Sequence, residues 1–190
     1  MMRLKANYLW PAMWNNAFSD DDPLNMVRAH EYGIVMGTSH HEPMMRADKE
    51  WNRYGDEFGS GPGKGKWDYA VNADGLYDFW VEGAERNKPY DSIYTLGMRG
   101  QEDTPMSEEQ NIGLLEQIVR DQREILGRVF TDRPIDEVPQ VWALYKEVQG
   151  YYENGMRVPE DVTLLWADDN WGNIRRLPTP EERARSGGAG

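Results

Sequence analysis

Five short apolar runs separated by helical patterns predict an α/β fold, and three features carry that prediction. The runs, at roughly 4–10, 34–38, 92–98, 140–147 and 162–167, are continuously apolar or β-branched rather than alternating, as expected of strands covered on both faces. Helical spacing fills most of the intervals, so right-handed crossovers should join parallel strands. Each run also ends in polar side chains: Trp14, Asn15 and Asn16; His40, His41 and Glu42; Arg99; Lys146 and Glu147; Asp168, Asp169 and Asn170. In a (β/α) barrel every strand opens its carboxyl end onto one face that carries the chemistry. An open doubly wound sheet gathers ligands mainly near its switch point, so five loaded strand ends favour the barrel. A closed barrel takes eight strands and about 250 residues. The expectation is therefore a partial (β/α)8 TIM-like barrel, with residues 1–190 as a single incomplete segment.

The elements follow in order. "MMRLKANYLWP" enters the first strand at once, and 21–32 ("DDPLNMVRAHEY") opens with acids and a proline that suit a helical first turn. The glycine-rich span 52–66 ("NRYGDEFGSGPGKGK") lacks the GKS/T ending of a phosphate-binding loop and is expected to be an insertion loop or lid. Leu76, Phe79, Trp80 and Ala84 mark one face of a helix over 72–87. The clearest helix is 107–129: Ser107 with Gln110 forms a capping box, and Leu115, Ile118, Val119, Gln122, Leu126 and Val129 share a face. There is no internal repeat. "RARSGGAG" reads as a flexible end with no closing element.

Composition narrows the function. A hydrophobic fraction of 39% with 12% aromatics belongs to a folding chain. A net charge of −12 with no basic stripe repels phosphates and anionic lipid, so neither nucleic acid nor membrane is an expected partner. No apolar run reaches the ~20 residues of a membrane span. With no cysteine there is no disulfide and no thiolate metal site.

The strand ends supply the candidate site. Glu147 in "LYKEVQGYY" lies beside Lys146 among aromatics; apolar surroundings would raise its pKa and suit it to donating a proton, against the bland reading of a Lys–Glu pair. Asp168, Asp169 and Asn170 are suited to binding a divalent metal, orienting water or holding sugar hydroxyls, or simply to making a turn. Adjacent acids on a turn diverge, so one of the two aspartates is expected to face substrate. The flanking Trp166 and Trp171 favour carbohydrate, whose CH faces stack on aromatic rings. His40 and His41 in "TSHHEP" are adjacent on an extended segment without an HExxH pattern, so hydrogen bonding to substrate is preferred over metal binding. Arg99 in "TLGMRGQED" presents a planar guanidinium suited to a carboxylate, or else pairs with Glu102 or Asp103. An acidic chain that aims Arg99 and Lys146 into its mouth is expected to select an anionic sugar.

The blocks "LKANYLWPAMWNNAF", "EYGIVMGTSHHEPM", "GMRG", "PQVWALYKEVQGYYENGMRVPEDVTLLWADDNWGNIRRLP" and "RSGGAG" closely resemble glycoside hydrolase family 115, the xylan α-1,2-glucuronidases. The resemblance runs nearly the whole length. It implies a large multidomain enzyme with a TIM-like catalytic barrel, of which this chain would be about strands 2–6. The implied reaction is removal, with inversion, of glucuronic acid or its 4-O-methyl ether from glucuronoxylan side branches or aldouronic acids. No cofactor and no metal are implied. By matching motif, Glu147 is the implied general acid, while Arg99, Asn170 and His40 or His41 are substrate contacts. Trp14, Asn15 and Lys146 are expected in the same pocket, and Asp168 or Asp169 is the candidate base alongside acids on a strand that would precede Met1. An exported parent enzyme, with homodimers in the family, is expected. The competing readings are a non-catalytic carbohydrate-binding module, a metal-dependent hydrolase built on the histidines and aspartates, and an inert fragment whose open barrel exposes sheet edges.

Overall fold

A computed structural model describes residues 2–106 and 111–190. Its strands are β1 (Tyr8–Leu9), β2 (Val35–Met36), β3 (Tyr94–Thr95), β4 (Gln140–Leu144) and β5 (Thr163–Trp166). Among the described residues these strands pair in parallel, in two ladders of order β1-β2 and β3-β4-β5. A parallel bridge between Met36 and Ser92 links the two, so strand neighbours follow chain order. The fold is thus α/β with parallel sheets.

The helices are α1 (Phe18–Asp21), α2 (Leu24–Glu31), α3 (Asp48–Tyr54), α4 (Tyr69–Asn87), α5 (Asn111–Val129), α6 (Glu147–Glu153) and α7 (Pro180–Arg183). The expected helix over 21–32 is two helices, because the chain becomes extended at Asp22 before Pro23 starts α2. In α4 the predicted face of Leu76, Phe79, Trp80 and Ala84 is fully buried, and Asp68 caps the helix by accepting the Ala70 N–H at 2.9 Å. The α5 face is likewise buried at Leu115, Ile118, Val119, Gln122 and Leu126. The capping box expected at Ser107 and Gln110 lies outside the described residues. Among the described residues no helix is long and apolar enough to cross a membrane.

The first three strands are much shorter than their apolar runs. β1 stops before Pro11, which has no N–H to give a ladder, and β3 stops before Gly97, whose φ of +91° leaves the sheet. The backbone groups freed at Gly97 are satisfied from α5. Its N–H donates to Gln122 Oε1 at 2.7 Å, and Gln122 Nε2 donates back to its carbonyl at 2.8 Å. That explains a glutamine in the middle of a buried helix face.

Two glycine-rich stretches turn out to be built in. Within 52–66, α3 ends and two 3₁₀ turns follow, Gly55–Glu57 and Gly61–Gly63; Phe58 packs on Trp51 and Phe79. The final residues, expected to be flexible, run parallel to β5. Leu164 N–H donates to Gly188 O at 3.1 Å, and Trp166 N–H donates to Gly190 O at 2.7 Å. A Cβ at Gly187 would sit 2.5 Å from the Asp161 carbonyl, so glycine there serves close approach rather than looseness.

Candidate active site

The strand exits share an unusual backbone. Of the eight non-glycine residues with positive φ among the described residues, all but Lys5 follow a strand: Trp14 and Asn15 after β1, Met44 and Met45 after β2, Glu102 and Asp103 after β3, Lys146 after β4. A left-handed residue without a local glycine costs on the order of 1–3 kcal/mol. Such a residue persists only where surrounding contacts hold it. Met44 and Met45 after β2 turn into the core, while at the exits of β3 and β4 those contacts bring Asp103 and Lys146 onto one site.

Its centre is Arg99, which is buried. Nε and Nη2 donate to the two oxygens of Glu147, both at 2.9 Å, in the paired geometry that a planar guanidinium favours. Nη1 donates to the carbonyl and carboxylate of Asp103. The Arg99 carbonyl accepts Trp67 Nε1 at 2.9 Å, tying the exit of β3 to the chain entering α4. Lys146, at φ 50° and ψ −125° between β4 and α6, directs Nζ to Asp103 Oδ2 at 3.4 Å and over the Tyr145 ring at 4.8 Å. His40 completes the set, with Nε2 2.8 Å from Asp103 Oδ1 and Nδ1 3.1 Å from Ser39 Oγ. Nε2 can donate to the carboxylate, while the Ser39 hydroxyl beside Nδ1 also reaches the Met13 sulfur at 3.2 Å. Burial first, then the charges of His41, Arg99 and Lys146, push the His40 imidazole down to about 3. The Glu147 carboxylate acts in the opposite direction without offsetting them.

Glu147 therefore sits differently from the expectation. It faces a guanidinium rather than apolar surroundings, and the aromatic Tyr145 lies under Arg99 instead, 5.9 Å from ring centre to guanidinium carbon.

Beyond Glu147 the site opens into a cavity of about 460 Å³ lined by Tyr145, Lys146, Glu147, Asp168, Asp169, Asn170, Trp171 and Arg175, among others. Asn170 Oδ1 accepts the Tyr145 hydroxyl at 2.9 Å, which joins the exits of β4 and β5. The two aspartates separate in role. Asp169 Oδ1 accepts the N–H groups of Trp171 and Asn173, both at 2.9 Å, and its carboxylate also accepts the Asn173 amide. Those bonds hold its carboxyl below the usual range, with the Asn173 side chain contributing most. Asp169 is thus the peg of the turn. Asp168 lines the cavity exposed, with no hydrogen bond or ion pair shown for its carboxylate. Trp171 is 88% exposed at the rim, whereas Trp166 packs inward against Tyr152 with Arg176 over its ring. Of the two flanking tryptophans, only Trp171 is placed to meet a ligand.

His41 belongs to a second, buried group. Its ring stacks on Trp14 at 5.0 Å, Nδ1 meets Asp48 Oδ2 at 2.8 Å, and Nε2 meets the Met13 sulfur at 3.0 Å. Glu42 next to it accepts the Asp48 N–H at 3.2 Å. Burial, reinforced by Asp48 and Glu50 and opposed by His41, pushes the Glu42 carboxyl up to about 7. His41, Glu42 and Asp48 have donor atoms within 4.8 Å of one another and are the set that could hold a cation among the described residues. The histidine nitrogens, however, already have partners. Asn15 is exposed at φ 57°, beside Trp14.

The structure thus brings Lys146, Glu147, Asp168, Asp169 and Asn170 around one opening, with Arg99 buried behind Glu147, His40 held to Asp103, and His41 stacked on the half-exposed Trp14. Sequence reasoning missed Asp103 and Tyr145. Asp103 appeared only as a possible ion-pair partner; its spacing of four from Arg99 was the available signal. Glu42 was noted at its strand end but assigned no role, and nothing in the letters distinguishes a buried carboxyl from an exposed one.

Comparison with known proteins bears on this geometry. The family model of glycosyl hydrolase family 115 matches residues 1–190. No curated protein matches. Among solved structures, one described as a novel family GH115 4-O-methyl-α-glucuronidase, BtGH115A, with specificity for decorated arabinogalactans is 41% identical. The two superpose with a TM-score of 0.87 over 100% of this chain. The match covers 24% of that protein, so the chain spans about a quarter of its length.

Proposed function

From the premise that this chain belongs to glycosyl hydrolase family 115, we propose that it carries the active site of an inverting α-glucuronidase that releases glucuronic acid, or its 4-O-methyl ether, from glucuronoxylan branches. Sequential parallel strands with loaded carboxyl ends support reading it as an arc of a (β/α)8 barrel. The observation that carries the function is the Arg99–Glu147 pair opening onto a cavity that also holds Asp168 and Asn170.

In this reading Arg99 and Lys146 attract and hold the uronate carboxylate, and Asn170, braced by Tyr145, takes a sugar hydroxyl. Glu147 protonates the glycosidic oxygen as the bond to the leaving sugar breaks. Asp168 accepts a proton from the water that attacks the anomeric carbon on the opposite face. Inversion requires the two carboxyls roughly 6.5–9.5 Å apart with water between them. Asp168 is preferred over Asp169 because its carboxylate is free, whereas that of Asp169 is committed to the turn. His40 stays neutral and serves as a donor that fixes Asp103.

The test follows the anomeric proton by NMR while the full-length enzyme that carries this chain acts on an aldouronic acid. An α-linked substrate cleaved with inversion gives the β-anomer first. Initial α-anomer would overturn the inverting mechanism, and binding with no release of sugar would point instead to a carbohydrate-binding role.

A further inference from the structure

Charge counting around Arg99 leads to a prediction about proton movement. Two cations, Arg99 and Lys146, face two carboxylates, Asp103 and Glu147. The other groups around Glu147 do not alter the balance in favour of another anion. His40 is neutral, Asp168 lines the same cavity as a further carboxylate, and Arg175 is turned to Asp169 at 3.9 Å. Tyr145 contributes a ring and a hydroxyl. A uronate entering this site brings a third carboxylate to two cations.

The contacts decide which resident gives way. Asp103 is held by Arg99, Lys146 and His40, and its side chain is 13% exposed. Glu147 is held by Arg99 alone among the contacts shown, and is 22% exposed on the cavity side. We propose that the substrate's carboxylate replaces Glu147 on Arg99, and that Glu147 is released into the cavity carrying a proton taken from solvent. Asp103 stays behind as the positioning residue that keeps Arg99 and Lys146 in place. Two N–H bonds to Glu147 are exchanged for two to the substrate, and the carboxylate plus one proton becomes the acid. The enzyme would thus load its proton donor only when a uronic acid is bound. The inference rests on the glucuronidase reading for the identity of the ligand.

The experiment is calorimetric titration of sodium glucuronate into the full-length enzyme near neutral pH, in two buffers of different ionisation heat. Uptake near one proton per uronate is expected, with affinity weakening about tenfold per pH unit across the range of full coupling. In Glu147→Gln, glucuronate should still bind while uptake falls to near zero. In Asp103→Asn one resident carboxylate is gone, Glu147 remains ionised to balance the cations, and uptake should fall well below one. A binding enthalpy independent of buffer, unchanged uptake in Glu147→Gln, or no binding of millimolar glucuronate would each overturn the proposal. Unchanged uptake in Asp103→Asn would remove Asp103 from its part. Failure of the glucuronidase reading is separate: it appears as absent hydrolysis, whatever the calorimetry shows.

Discussion

Two glutamates leave strands β2 and β4, with β3 between them, and meet opposite surroundings. Glu42, after β2, is buried beside His41 and Asp48 with no lysine or arginine bonded to it among the described contacts, and its carboxyl is pushed up to about 7. Glu147, after β4, is part-exposed on a cavity and bonded twice to Arg99. Proximity to the site and residue type are shared. What differs is the counter-charge and the access to solvent, and on these the proposed function gives one acid to support and the other to chemistry.

The strongest way to break that contrast is to remove both carboxyls in turn. Glu147→Gln should lower kcat on aldouronic acids by about a thousandfold or more, in the upper range for losing a general acid, while Glu42→Gln should stay within about tenfold. Comparable losses in steady-state kinetics would erase the distinction. Stability should respond the other way. The folded carboxyl of Glu42 holds its proton above the ordinary carboxylate range, so its contribution is complete at low pH and is lost as pH rises through about 7. Relative to Glu42→Gln, the wild-type protein should lose on the order of 3 kcal/mol between pH 4 and pH 8. Denaturant melts of both proteins showing a pH-independent gap would contradict a neutral Glu42.

The same division can be sharpened inside one turn. Asp168→Asn should cost about a hundredfold in kcat with little change in melting. Asp169→Ala should lower the melting temperature by loosening the turn, with the smallest kinetic effect of the four variants. A large kcat loss in Asp169→Asn with unaltered stability would transfer the base role to Asp169.

Much of this site was legible because a parallel sheet exposes its strand ends, so residues that follow apolar runs are candidates before any coordinates exist. Arg99, Lys146, Glu147 and the Asp168–Asn170 triplet were singled out in that way, and the long family-like blocks supplied their expected roles. The part that was not legible depends on backbone turns and depth. Asp103 reaches Arg99 only because Glu102 and Asp103 adopt positive φ, which no ordinary propensity for those residues announces. Trp166 and Trp171 look equivalent in the letters, yet one is committed to packing and the other is exposed. The apolar runs overstated the strands because part of each continues past the sheet into the loops that carry the site.

The bend at Lys146 has an evolutionary corollary. Its torsions suit glycine far better than lysine, so a laboratory selection for heat resistance alone should drift to glycine at this position and yield a sturdier protein with poorer uptake of anionic sugar. A lysine kept there under natural selection would record which of the two properties the organism needs.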